Sequence, residues 1–287
     1  MKLRNIAAIG VALVLASAAG PKSEGGKKPD DRGAVWFVTF LQAPRQDIGW
    51  AILKGIGATE EQVRQVGLLY QEYAPKEADL QWRYLEASGE AVKVLTGDDP
   101  KDSDLKKIVA DARGASLAIL RNHLNFWEKT TTILGAKAGD YFKGTIGLME
   151  KTGGSKSYPF YPYLFGPPPE EEGAVLAQKV GIIPDQLEGL QKVVVPLLEA
   201  VKPFLEGYTQ KLTSLLQMAQ APGTPDWKEV HKITESMVDM EVSLLQKELE
   251  FWREFNTFLD EDQVGPFWRE LMRTKWEFYI KLTAKKD

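Results

Sequence analysis

Residues 105–134 read LKKIVADARGASLAILRNHLNFWEKTTTIL, and residues 230–259 read VHKITESMVDMEVSLLQKELEFWREFNTFL. In the first stretch Leu105, Ile108, Ala112, Ala115, Ile119, Phe126, Thr130 and Ile133 recur at spacings of three and four, with Asn122 filling the gap. In the second, Val230, Ile233, Met237, Met240, Leu244, Phe251, Phe255 and Phe258 do the same, with Lys247 in the gap. Such a row is one face of a long helix that packs on another helix at a shallow angle. Two such helices, with no run of alternating strand residues anywhere, predict an all-α fold.

The two stretches also match each other. LNFWEKTTTIL (Leu124 to Leu134) returns as LEFWREFNTFL (Leu249 to Leu259), and IGATEEQ (Ile56 to Gln62) returns as VGIIPDQ (Val180 to Gln186), at offsets of 125 and 124. A single inserted residue reconciles the offsets, so the chain reads as a tandem duplication. Each copy holds a helical region ahead of the long helix, at 60–96 and 185–220, and a shorter helix after it, near 138–150 and 261–283. Pro75, Pro196 and Pro203 fall inside the leading regions, where bends or breaks are expected because proline removes a backbone hydrogen bond.

Between the copies, GGSKSYPFYPYLFGPPPEEEG (153–173) carries five Pro and four Gly, which oppose regular structure. Its aromatics Tyr158, Phe160, Tyr161, Tyr163 and Phe165 suit pinning a linker to a helical body or meeting a partner. The expected layout is a signal peptide at 1–19, a flexible leader at 20–33, repeat 1 at 34–152, a linker at 153–177 and repeat 2 at 178–287. The signal peptide is read from Lys2 and Arg4 ahead of the apolar run Ile6–Leu15, followed by Ala16, Ser17, Ala18 and Ala19. That run is too short to span a bilayer, which takes roughly 20 residues. The address is therefore periplasmic or secreted, with no membrane span in the mature chain.

Composition narrows the chemistry. The 287 residues include no Cys and two His, with 36 Lys and Arg against 40 Asp and Glu. No disulfide framework, thiolate metal site or thiol nucleophile is possible. Loss of residues 1–19 removes Lys2 and Arg4 and leaves 34 basic against 40 acidic side chains, which does not favour nucleic acid. His123 and His231 do not occupy equivalent positions in the two copies, and neither sits in a Glu-x-x-His spacing. Both are read as structural or surface residues. No catalytic, metal or cofactor residues are identified, and the chain is expected not to be an enzyme.

The motifs that remain are helix starts. Thr59-Glu60-Glu61-Gln62 has the form of a capping box, in which Thr59 accepts from the third helical amide and Gln62 reaches back to the cap amide. Asp260-Glu261-Asp262-Gln263 repeats the form with Asp260 as cap, although Pro266 stands close enough to displace the helix start. Ile183-Pro184-Asp185-Gln186 keeps Gln186 behind a poor cap residue, and Gly135-Ala136-Lys137-Ala138 has lost the box. A start of the form Leu-Thr-x-x-Gln, early and again late in a unit of about 100 residues, is similar to the signature of the Spy/CpxP family of periplasmic proteins. The chain resembles two such units in tandem.

That resemblance implies bent helices forming a cradle, and binding of unfolded or partially folded envelope proteins without nucleotide or cofactor. Because family members pair, it implies two repeats packed as an internal pseudo-dimer in a monomeric chain. Met237, Met240, Phe251, Phe255 and Phe258 then form a soft apolar stripe that is either a core seam or a client surface. The alternatives are a scaffold with one dedicated envelope partner or, more weakly, a metal-responsive regulator.

Overall fold

The computed structural model describes residues 41, 43–44, 46–95, 97, 101–152, 170–221 and 223–284. Among these there are eight α-helices and no strand: α1 (Gln46–Gly55), α2 (Glu60–Leu95), α3 (Asp102–Leu134), α4 (Ala138–Thr152), α5 (Glu170–Val180), α6 (Pro184–Gln220), α7 (Trp227–Asn256) and α8 (Glu261–Ala284). A short 3-10 turn, Gly135–Lys137, joins α3 to α4. The fold is all-α. None of the described helices is long and apolar enough to cross a membrane. The expected signal peptide, the leader and the aromatics Tyr158 to Phe165 lie outside the described residues.

The helices run in two series of the same order, short, long, long and closing, α1 to α4 and α5 to α8. α2 packs along α3 and α6 along α7, making two hairpins, and α3 packs along α7 to join them. The α3–α7 pair is antiparallel, because its cross-helix ion pairs run in opposite numerical directions: Asp102 with Arg253, Arg113 with Asp239, Arg121 with Glu235 and Glu128 with His231. α1 sits against α2 and α4, and α5 against α8. One continuous apolar cluster takes buried residues from both hairpins.

The 3-4 row read from the sequence is the face each long helix turns to its hairpin partner. On α3, Asn122 and Phe126 meet Glu77 and Tyr73 of α2. α3 is buried on a further side too, at Leu117, Leu120, Leu124 and Trp127, because it lies between α2 and α7. The segment ahead of α1 closes on it: Leu41 is buried and its carbonyl accepts from Trp127 Nε1 at 2.7 Å.

Two expectations need correction. Pro75, Pro196 and Pro203 do not break their helices; α2 and α6 are continuous through them. All three prolines are exposed. On that face water can satisfy the carbonyl left without a partner, and the helix can curve away from the ring. The linker also ends earlier than residue 177, since α5 begins at Glu170.

Candidate functional site

The motif residues converge at two helix junctions built alike. α1 and α5 each end on a left-handed glycine, Gly57 (φ 69°) and Gly181 (φ 74°), a conformation that side chains with a Cβ rarely adopt. The residue after each glycine bonds back into its helix, Ala58 N to Leu53 O and Ile182 N to Ala177 O, which closes the end tightly. The next helix starts at once. Thr59 N donates to Gln62 Oε1 at 3.0 Å and Gln62 N donates to Thr59 Oγ1 at 3.2 Å, so the capping box is complete. Ala58 and Val63 are both partly buried where the staple belongs. At the second junction only half the box forms: Ile183 N donates to Gln186 Oε1 at 2.9 Å, and isoleucine has no acceptor to return the bond. A missing cap acceptor of this kind costs a helix about 1 kcal/mol.

Each glutamine has a second partner that ties the junction to a distant helix end. Gln62 Nε2 donates to the carbonyls of Ile133 and Leu134 at 3.1 and 3.4 Å, where α3 ends. Gln186 Nε2 donates to Gln263 Oε1 at 2.6 Å, while Gln263 Nε2 donates to the Gly181 carbonyl at 3.0 Å. Asp260 N donates to the same Gln263 Oε1 at 2.9 Å, and α8 starts at Glu261 with Pro266 inside it. In the first half Ala138 stands where a glutamine would complete the motif. Lys137, one residue earlier, supplies the missing contact, with its ammonium donating to the Gly57 carbonyl. Thr59, Gln62, Gln186, Asp260 and Gln263 are thus brought together as two locks, whose bonds are internal.

A Phe-Trp pair on each of α3 and α7 meets the closing helix that follows it. Trp127 meets Phe142 of α4 with ring centroids 4.7 Å apart, and Trp252 meets Phe267 of α8 at 5.9 Å. On α7, Met237, Phe251 and Phe255 are buried and Met240 partly so, as is Phe258 in the turn just after it. Phe258 and Met240 lie against α6 at Gly189 and Gly207; a Cβ at these glycines would stand 2.3 and 2.9 Å from them. Met240 and Phe258 of the stripe are therefore covered by α6 in this structure. Trp82 is 63% exposed, unlike Trp127, Trp252 and Trp268.

Two of the buried acids, Glu77 and Glu241, are features that sequence reading missed. Glu77 of α2 is 5% exposed and accepts from Asn122 Nδ2 at 3.0 Å and Gln81 Nε2 at 2.9 Å, with His123 Nε2 2.8 Å away. Burial pushes its carboxyl up, but the hydrogen bond and charge of His123, with the two amides, outweigh that and hold it below the usual carboxylate value. Glu241 of α7 is 2% exposed and accepts from Tyr208 at 2.8 Å, while its Oε2 has no partner. Burial pushes this carboxyl up to about 8 against the Tyr208 hydrogen bond. The available signal was register: Val66, Leu69, Tyr73 and Glu77 share one 3-4 row, as do Thr234, Val238, Glu241 and Leu245.

The histidines part as their non-equivalence suggested. His123 is buried with Nδ1 unpartnered, and His231 is half-exposed against Glu128 across the α3–α7 seam. Among the described residues no three His, Cys, Asp or Glu side chains are grouped to hold a metal ion. The arrangement holds protons and fixes helix ends. Family models, curated proteins and solved structures give no match to this chain.

Proposed function

We propose that the chain is an exported, non-catalytic helical binding protein of two Spy/CpxP-like units in tandem, packed as an internal pseudo-dimer and engaging partly folded envelope proteins without nucleotide. The observation that carries this reading is the recurrence of one junction in both halves: a left-handed glycine, a glutamine-capped helix start, and a side chain from at or just before the start of the closing helix on the glycine carbonyl. The antiparallel α3–α7 pairing supports the pseudo-dimer, since an offset of 125 residues maps each helix onto the other about a point near Ala115 and Met240. The test is suppression of aggregation of a chemically unfolded protein diluted into buffer with a several-fold excess of this chain and no nucleotide. Clear suppression supports the reading, and unchanged aggregation sinks it.

The burial of Phe251 and Phe255 and the cover that α6 gives Met240 and Phe258 favour a second reading. A closed bundle suits a scaffold that holds one dedicated partner on its outer surface. Retention of a single envelope protein in a pull-down, with no effect on unrelated unfolded proteins, selects this alternative.

A further inference from the structure

We infer that Glu241 is a pH-operated latch on α6, holding it against α7 as a neutral acid and loosening it around Tyr208 when the carboxyl ionises. Gly207 brings α6 close enough for Met240 Cε to lie 2.9 Å from where a Cβ would stand. One residue on, the Tyr208 hydroxyl donates to Glu241 Oε1. The acid is thus enclosed at the α6–α7 contact, with Oε2 left without a hydrogen-bond partner. Its neighbours a turn away on α7 are Met237, Val238, Leu244 and Leu245.

Among the described residues, the charged and titratable groups around it offer no cation. From α6 the facing group is Tyr208, a neutral donor. From α3 the basic groups at this level are Arg113 and Arg121, already paired with Asp239 and Glu235 on the exposed edge. α2 meets α7 at Asn256, whose amide donates to the Leu95 carbonyl, about four turns further along. On α7 itself the next buried acid is Glu248, about two turns on, beside Trp252 Nε1 at 3.5 Å. An ionised Glu241 would therefore be a buried charge held by a single hydroxyl, and hydration is its remedy. Separation at Tyr208 hydrates it, while α3 stays packed on α7 along their buried seam.

The direction in pH follows from linkage. A carboxyl at about 8 in the closed state and 4.5 when released keeps its proton preferentially closed. Opening then rises with pH by about tenfold per unit between those values and levels off above the upper one. It uncovers Met240, at the methionine end of the apolar stripe. The use of that stripe for a client rests on the binding reading above; the latch does not.

Hydrogen exchange of the full chain from pH 5 to pH 9, corrected for intrinsic rates, tests the latch without any client. Amides of α6 around Tyr208 should lose protection with the slope given and a break near pH 8, while those of α2 do not. Glu241→Gln keeps the shape and the acceptor, and should abolish the slope. Tyr208→Phe removes the bond that lowers the carboxyl value, and should move the break to higher pH. Equal slopes in wild type and Glu241→Gln, or equal loosening of α2, overturn the latch; should the Gln variant not fold, an unmoved break in Tyr208→Phe overturns it. An open latch with no suppression of aggregation at either end of the range leaves the latch standing and removes the binding reading.

Discussion

Glu77 and Glu61 are both carboxylates held below their usual value, yet they carry different weight. Glu61 is fully exposed and is brought down to about 2 by hydrogen bonds from Arg64 and Gln65, an arrangement on a helix surface that screening and side-chain entropy reduce to little. Glu77 is enclosed, so its partners decide whether a buried charge is compensated. His123→Ala leaves that charge to Asn122 and Gln81 and is expected to cost about 3–5 kcal/mol in urea titration at pH 7. A loss under about 1 kcal/mol would show the pair to be inert. The sign with pH is opposite to that of Glu241: a lowered carboxyl stabilises the fold above 4.5 and gives that stability up as pH falls through its folded value. Glu77→Gln should lack this acid-side loss when stability is compared at pH 7 and in mild acid.

Among the helices, the long ones were legible because burial imposes a 3-4 row whatever the partner is, and the junction glutamines because helix-start chemistry is local. What escaped depended on which way a residue faces. Three prolines read as bends or breaks stand on exposed faces of unbroken helices, and two glutamates that no motif marked lie in apolar rows because their partners, His123 and Tyr208, come from other helices. Lys137 escaped for a similar reason, since its target carbonyl is set by the fold of α1. The same dependence makes two glycines of α6 unequal. Alanine gains up to about 1 kcal/mol over glycine within a helix. At Gly207 the obstacle is the flexible end of Met240, so Gly207→Ala should lie within about 1 kcal/mol of wild type. At Gly189 three ring atoms of Phe258 lie within 3.0 Å of the new Cβ, and Gly189→Ala should destabilise by about 1–3 kcal/mol. Denaturant midpoints for the two variants should differ in this order; the reverse order would mean that α6 does not clasp Phe258.

The whole molecule depends on the seam where α3 and α7 join the hairpins, which has a charged edge and an apolar interior. Arg113, Asp239, Arg121 and Glu235 are each about half exposed or more, so their attractions are screened and each pair contributes about 0–1 kcal/mol. Leu120, on the same stretch of α3, is fully buried, and its truncation to Ala is expected to cost about 2–5 kcal/mol. If burial governs the seam, Leu120→Ala should lower the denaturant midpoint far more than Arg113→Gln and Arg121→Gln together, and raising salt to 1 M should leave the wild-type midpoint nearly unmoved. If the ion pairs govern it, salt should lower the midpoint and the double Gln variant should match the Leu120 truncation. The same apolar interior is already satisfied within one chain. Sedimentation should therefore give a single-chain mass at low and high salt, and a concentration-dependent dimer would mean that some part of this face is left uncovered.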